Sequence, residues 1–299
     1  MITFIFLIQP NHLHRFALKV LSASDLPEHV VFVINFSDAN SENLPPAEKL
    51  KGFFGNANEI ISWLDHVDIP EVTIYCCEPK DDPKSKTKRA KSALEAINEI
   101  SSYFPKLINK LIDRDTRFSF FGELDFVPKK LRITLANAIL KTKECKKRRI
   151  NMGFMYTTSD EMDMALKTLR KGVNDGDLML SDIDENLINR CLYTEHSKEV
   201  DLIVRVNTGD NFAGTFLWQQ SNAVYTFANV VNYRITFTQF LAALFYAQFI
   251  ISRSKHALTE RKFETVSGEF DKTESKRRIE MFIDKKNAEY INYLNKIIM

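Results

Sequence analysis

The stretch of this chain best suited to chemistry on a charged ligand is Arg205 to Gly214, RVNTGDNFAG, rich in Gly, Asn and Asp. Backbone N–H groups in such a loop can converge on an anion, and Arg205 would add a full positive charge. An ordinary turn is the competing reading. The loop has neither the Gly-Lys-Ser/Thr ending of a phosphate loop nor a Gly-x-Gly-x-x-Gly fingerprint, so no motif supports nucleotide binding. A second charged stretch, Lys80 to Lys91 (KDDPKSKTKRAK), carries six basic residues against two acidic ones. It suits either an anionic surface or a solvated lead into the following helix. The histidines, His12, His14, His29, His66, His196 and His256, show no ligand spacing and read as structural or surface residues. Cys76, Cys77, Cys145 and Cys191 likewise form no metal motif, because adjacent strand residues point to opposite faces.

The elements that would position these residues follow from periodicity. VVFVINF from Val30 and EVTIYCC over Glu71 to Cys77 are short, β-branched apolar runs, and NANEIISWLDHV between them has helical spacing. Arg117 to Phe121, Arg149 to Tyr156 and Val200 to Val206 supply three more candidate strands. Helical text fills Ser92 to Ile112, Lys130 to Lys143, Ser159 to Val173 and Thr238 to Ile251. The fold class predicted is α/β, a mostly parallel central sheet flanked by helices. In such a sheet ligands favour the crevice beyond the carboxyl ends of the strands. That directs attention to Asn35 to Asn43, Glu78 to Arg89, Tyr156 to Glu161 and Arg205 to Gly214.

Composition limits the alternatives. The 299 residues are 44% hydrophobic and 27% charged, enough for a sizeable core and incompatible with global disorder. A formal charge of +2 gives no demand for a nucleic-acid partner. The N-terminal run Met1 to Ile8 (MITFIFLI) is too short to span a bilayer and lacks the charged start of a signal peptide. It reads as a lip for peripheral membrane contact or as a segment packed on its own core. Three regions are expected: 1–24, an apolar helical segment; 25–250, the main domain; 251–299, a charged helical extension. In the extension, Ile279, Phe282, Ile283, Tyr290, Leu294 and Ile297 form an apolar stripe for a partner helix or for the protein's own core.

The passages HRFALKVLSASDLPEHVVFVI from His14, WLDHVDIPEVTIY from Trp63 and RFSFFGELDFVPKKLRITLANAILKT from Arg117 resemble the cis-prenyltransferases, in particular the eukaryotic dehydrodolichyl diphosphate synthase branch. NMGFMYTTSDEM from Asn151 and the block from Gly172 to Gln219 continue the likeness. The resemblance implies an undecaprenyl diphosphate synthase-like fold, a dimer and an apolar tunnel with a diphosphate site at its mouth. It also implies condensation of isopentenyl diphosphate onto an allylic diphosphate with Mg2+. A carboxylate pair holding Mg2+, with arginines and a serine on the second diphosphate, explains the residue types that family uses.

The same comparison removes most of that machinery. Where the family reads Met-Asp-Gly-Asn-Arg-Arg, this chain has Ile34, Asn35, Phe36, Ser37, Asp38 and Ala39. Asn35 replaces the metal-positioning carboxylate, and Asp38 and Ala39 replace two arginines. Glu78, Pro79, Lys80 and Asp81 stand in place of Ser-x-Glu-Asn. Ser159 replaces an arginine, although Glu161 is kept as a helix-end residue. Arg205 keeps one diphosphate arginine, while Asn211 and Ala213 replace the second arginine and the serine, and Val224 replaces a metal-binding glutamate. Phe216 and Trp218 read as core or dimer-interface packing.

The resulting expectation is a degenerate subunit that pairs, as homodimer or heterodimer, with a cis-prenyltransferase in polyprenyl diphosphate and dolichol synthesis. It would lie at the cytoplasmic face of the endoplasmic reticulum or in the cytoplasm, with an isoprenoid lipid as a ligand and no nucleic acid. No cofactor is expected for the lone chain. An active enzyme with rearranged Mg2+ ligands among Asp38, Glu78 and Asp81 is one alternative. A non-enzymatic isoprenoid binder or scaffold is the other. The C-terminal YLNKIIM lacks the Arg-x-Gly ending of the family's accessory subunits.

Overall fold

A computed structural model of the protein describes residues 19–21, 26–35, 46–63, 66–77, 104, 107–153, 156–206, 216–228, 230, 235–254 and 269–299. Six strands form one sheet: β1 (His29–Asn35), β2 (Glu71–Cys77), β3 (Thr116–Phe121), β4 (Arg148–Gly153), β5 (Leu202–Val206) and β6 (Val224–Ala228). Their order is β3-β4-β2-β1-β5-β6, and every neighbouring pair runs parallel. The labelled helices are α1 (Pro46–Trp63), α2 (Lys129–Thr142), α3 (Thr158–Asn174), α4 (Glu185–Cys191), α5 (Phe237–Ser254) and α6 (Glu269–Ile298), with a further helical stretch over 107–113.

The all-parallel sheet explains the unbroken apolar text of its central strands. Val30, Val31, Phe32, Val33 and Ile34 are all fully buried because both faces are covered, one by helices and the other by an aromatic layer. On one face Phe32, Ile74, Val204 and Met152 meet α1, residues 107–111, α2 and α5 in the main core. Trp63 stacks on Phe240 with ring centroids 5.5 Å apart. On the other face Val31, Val33, Tyr75, Phe121 and Ile203 form a smaller, aromatic layer with Tyr156 and Phe216. Ala165, Leu169, Leu187, Phe282 and Ile283 from α3, α4 and α6 build a third cluster.

Several boundaries differ from the sequence reading. The strand expected over Arg149 to Tyr156 is described from Arg148 to Gly153, with 154–155 outside the described residues, and the one expected from Val200 begins at Leu202. The sixth strand, β6, was not anticipated: its residues are only partly buried at the sheet edge, so it lacks a dense apolar signature. The C-terminal stripe is settled in favour of the protein's own core. Phe282, Ile283 and Leu294 are buried, and Ile279 and Ile297 pack beside them. Tyr290 stays 41% exposed. Helix α6 thus contributes to both the main core and the α3–α4 cluster, and it touches α2 and α4. Among the described residues no helix is long and apolar enough to cross a membrane. Met1 to Ile8, Lys80 to Lys91 and the first part of the helix expected from Ser92 lie outside the described residues.

Candidate functional site

The carboxyl ends of β1, β2, β4 and β5 define the crevice. Asn35 is the last residue of β1, level with Cys77 on β2. Ser37, Asp38, Glu78, Asp81, Asn211 and Ala213 lie outside the described residues. Arg205 sits one residue from the end of β5, flanked by Val33 and Phe227 on the neighbouring strands, and is 1% exposed. Period-two alternation puts it on the aromatic face with Val33 and Ile203. The Tyr225 ring lies close enough to feel its charge. Burying a guanidinium is costly unless its donors are satisfied, so this arginine is part of the core at the base of the crevice.

Next to it, the aromatic layer is locked by specific contacts. Tyr75 donates its hydroxyl to the Tyr156 carbonyl, and the two rings meet edge to face at 5.2 Å. Phe216 packs on both rings, at 5.6 and 5.5 Å, with a backbone φ of +54°. The expectation that Phe216 is a packing residue holds. Trp218 is partly buried against the third cluster and donates its indole N–H to Asn189.

Glu161 is the charged group the sequence reading undervalued. It lies in the first turn of α3, whose N-terminus is capped by Thr157 accepting from the Asp160 N–H at 3.1 Å. Its carboxylate is 1% exposed and receives the Tyr156 hydroxyl, the Tyr193 backbone N–H at 2.8 Å and the Gln219 amide at 3.1 Å. Burial raises its pKa, against the lowering effect of these donors. Desolvation together with the adjacent carboxylate pushes the Tyr156 phenol well above its ordinary range. Ser159, two residues before it, is exposed.

Val224 is not brought to the crevice within one chain. It opens β6 opposite Leu202, which in turn is level with Val30 near the amino end of β1. Asn35 is five positions further along β1, which at about 3.3 Å per residue is an offset of about 17 Å along the strands, and Val224 is also two strands away. With Glu161 committed to three donors and Val224 at the opposite edge, the described residues do not fit a Mg2+ site. No group of three His, Cys, Asp or Glu suited to a metal occurs among the described residues.

At the amino edge of the sheet His29 is fully buried, with Nε2 2.8 Å from the Thr73 hydroxyl and Nδ1 2.9 Å from the Lys198 carbonyl. Asn151 donates to Glu71 at 2.6 Å and to Thr73 at 3.0 Å in the same network. Burial lowers the His29 pKa. This histidine is structural, as its lack of ligand spacing suggests.

The six-stranded all-parallel sheet with flanking helices, and an arginine buried near the carboxyl end of β5, define an α/β protein. The chain belongs to the family described as putative undecaprenyl diphosphate synthase, which matches residues 39–252. It is 27% identical over 237 residues to the human dehydrodolichyl diphosphate synthase complex subunit DHDDS, covering 77% of this chain and 69% of the relative. It is 24% identical over 220 residues to the geranylgeranyl-diphosphate-specific tritrans,polycis-undecaprenyl-diphosphate synthase of Archaeoglobus fulgidus, covering 71% and 85%. The crystal structure of lavandulyl diphosphate synthase from Lavandula x intermedia shares the fold, with a TM-score of 0.63, 21% identity and coverage of 75% and 95%. Helix α6 begins beyond the family match.

Proposed function

We propose that this chain is a catalytically degenerate subunit of a polyprenyl diphosphate synthase complex, working beside a catalytic cis-prenyltransferase chain in dolichol synthesis. The observation that carries this reading is the engagement of Glu161. Among the described residues, the acidic side chain buried beside the crevice is held by Tyr156, Tyr193 and Gln219, and serves the fold rather than a metal. The substitutions at Asn35, Asn211 and Val224 remove charges, and that at Ala213 a hydroxyl, on which the family's diphosphate and Mg2+ chemistry depends. Each lost charge-assisted contact is worth about 2 kcal/mol, and several at one site correspond to a rate loss of several orders of magnitude. The human relative's name, a complex subunit, supports partnership. On this reading the chain meets the endoplasmic reticulum membrane peripherally and through its partner.

The test is a purification with the catalytic cis-prenyltransferase of the same cell, then an assay with isopentenyl diphosphate, an allylic diphosphate and Mg2+. The lone chain gives no product, and the complex gives more product than the catalytic chain alone. Polyprenyl diphosphate formed by the lone chain overturns the proposal.

A further inference from the structure

The amino half of the aromatic sheet face carries an arrangement unrelated to the crevice. Arg117 on β3 and Arg149 on β4 are exact register partners, so their side chains leave the same face of adjacent strands about 4.8 Å apart. Both are partly buried. Like charges side by side repel, and neither guanidinium forms a hydrogen bond or an ion pair with a described residue. The nearest carboxylate, Glu71, is level with Arg149 on β2 and offsets part of its charge, but its oxygens are hydrogen-bonded to other groups. Glu71 accepts from Asn151 at 2.6 Å and from the Lys198 N–H at 2.8 Å. Glu195 pairs with Lys286 at 2.8 Å.

Four other side chains lie near the arginines. His196, whose side chain is 47% exposed and whose Nε2 lies 3.7 Å from Glu195, has its protonation disfavoured first by burial and then by Arg117, Arg149 and Lys286, against the opposing effect of Glu195. Tyr290 of α6 lies within the field of Arg117. Lys146 and Lys147, exposed and without an ion-pair partner among the described residues, precede β4 and add to the positive potential of this edge. Asp115 holds their turn by accepting both backbone N–H groups, at 2.9 and 3.2 Å.

Two planar forks with unused donors, a ring nitrogen and a phenol on one partly sheltered surface suit an oxyanion with several acceptor oxygens, such as a phosphate group. We infer that Arg117, Arg149, His196 and Tyr290 form a second anion site that binds a phosphate group, closed on one side by helix α6. The site lies at the amino edge of the sheet, away from the diphosphate crevice, and one of its walls comes from a helix outside the family match. It is independent of the subunit reading. The phosphate belongs either to a small soluble molecule or to a lipid headgroup.

The full chain is titrated with inorganic phosphate and with pyrophosphate, against chloride at matched ionic strength, by calorimetry and thermal unfolding. The wild type binds phosphate saturably and its Tm rises, whereas the double variant Arg117→Gln, Arg149→Gln loses at least tenfold in affinity. Without phosphate the single variant Arg117→Gln melts no lower than the wild type, because a repulsion on Arg149 is removed while Arg149 stays beside Glu71. Tyr290→Phe, which leaves the strands untouched, weakens phosphate binding several-fold. A second arm uses vesicles of phosphatidic acid in phosphatidylcholine: arginine-dependent co-sedimentation without soluble phosphate binding assigns the same site to a lipid headgroup. Phosphate binding unchanged in the double variant, or no arginine-dependent binding in either arm, overturns the inference.

Discussion

The carboxylate of Glu161 accepts the backbone N–H of Tyr193 at 2.8 Å across 32 residues of sequence, joining the first turn of α3 to the turn after α4. Tyr156 and Gln219 complete the same carboxylate, so three separate segments behind the crevice are held by one side chain. Glu161→Ala leaves three buried donors without an acceptor. It is expected to destabilise the fold by about 3 kcal/mol, measured by urea denaturation. The pH dependence follows from a carboxyl pKa raised above the ordinary 4.5 mainly by burial. A raised folded pKa contributes stability in acid that is lost as pH rises from 4.5 through the folded value, and Glu161→Gln removes that slope. A variant with the wild-type slope would mean that the carboxylate is solvated in solution.

A second carboxylate behaves in the opposite sense. Asp182 is held by Arg278 of α6 at 2.8 and 3.0 Å, by the Ser275 hydroxyl at 2.7 Å and by the Met179 N–H at 2.8 Å. The Arg278 hydrogen bonds are the main cause of its pKa falling from 3.8 to about 2. Its contribution is therefore present above 3.8 and is lost as pH falls towards about 2, on the order of 2 kcal/mol in all. Hydrogen exchange along the first turns of α6 is expected to accelerate across that window. Arg278→Gln produces the same acceleration already at neutral pH.

Gly172 sets how closely α6 approaches α3. A Cβ built there meets the Phe282 ring at 2.5 Å and Leu178 at 3.0 Å. Phe282 is 6% exposed and clustered with Leu169, Leu187 and Ile283, so shifting its ring disturbs that packing. Gly172→Ala gains about 1 kcal/mol of helix propensity yet is expected to lower stability by about 1 to 2 kcal/mol net. Adding Phe282→Leu recovers part of that loss. A Gly172→Ala protein more stable than wild type would show that α6 is not tightly docked.

The legibility of these features differed for physical reasons. VVFVINF declared β1 because a strand buried on both faces must be apolar at every position, and its flanking order made the parallel sheet readable. VYTFA did not declare β6, since an edge strand with one solvated side has no such constraint. The apolar stripe of α6 was visible at helical spacing, but amphipathicity does not say whose core it enters; Phe282 and Leu294 answer that only in three dimensions. The Glu161 cluster draws on residues at 156, 193 and 219, and the Arg117–Arg149 pair depends on a strand register. Neither arrangement has a local pattern. Arg205 could be placed on its strand from sequence, yet its near-complete burial depends on the aromatic layer that Tyr156 and Phe216 assemble.

That layer supplies the last prediction. Phe216 has φ of +54°, a left-handed conformation that costs an L residue about 1 to 2 kcal/mol, and its buried ring against Tyr75 and Tyr156 offsets the cost. Removing the ring as Phe216→Ala loses the packing but keeps the strain, for a destabilisation of about 4 kcal/mol. Phe216→Gly loses the same packing and releases the strain, so it should be about 1 kcal/mol more stable than the alanine variant. This reverses the usual order of the two substitutions, in which glycine is the worse because it adds entropy to the unfolded chain. Paired denaturation curves of the two variants decide the matter. If alanine proves the more stable, the left-handed backbone at Phe216 relaxes when its ring is removed, and the conformation is a consequence of aromatic packing rather than a constraint imposed by the turn.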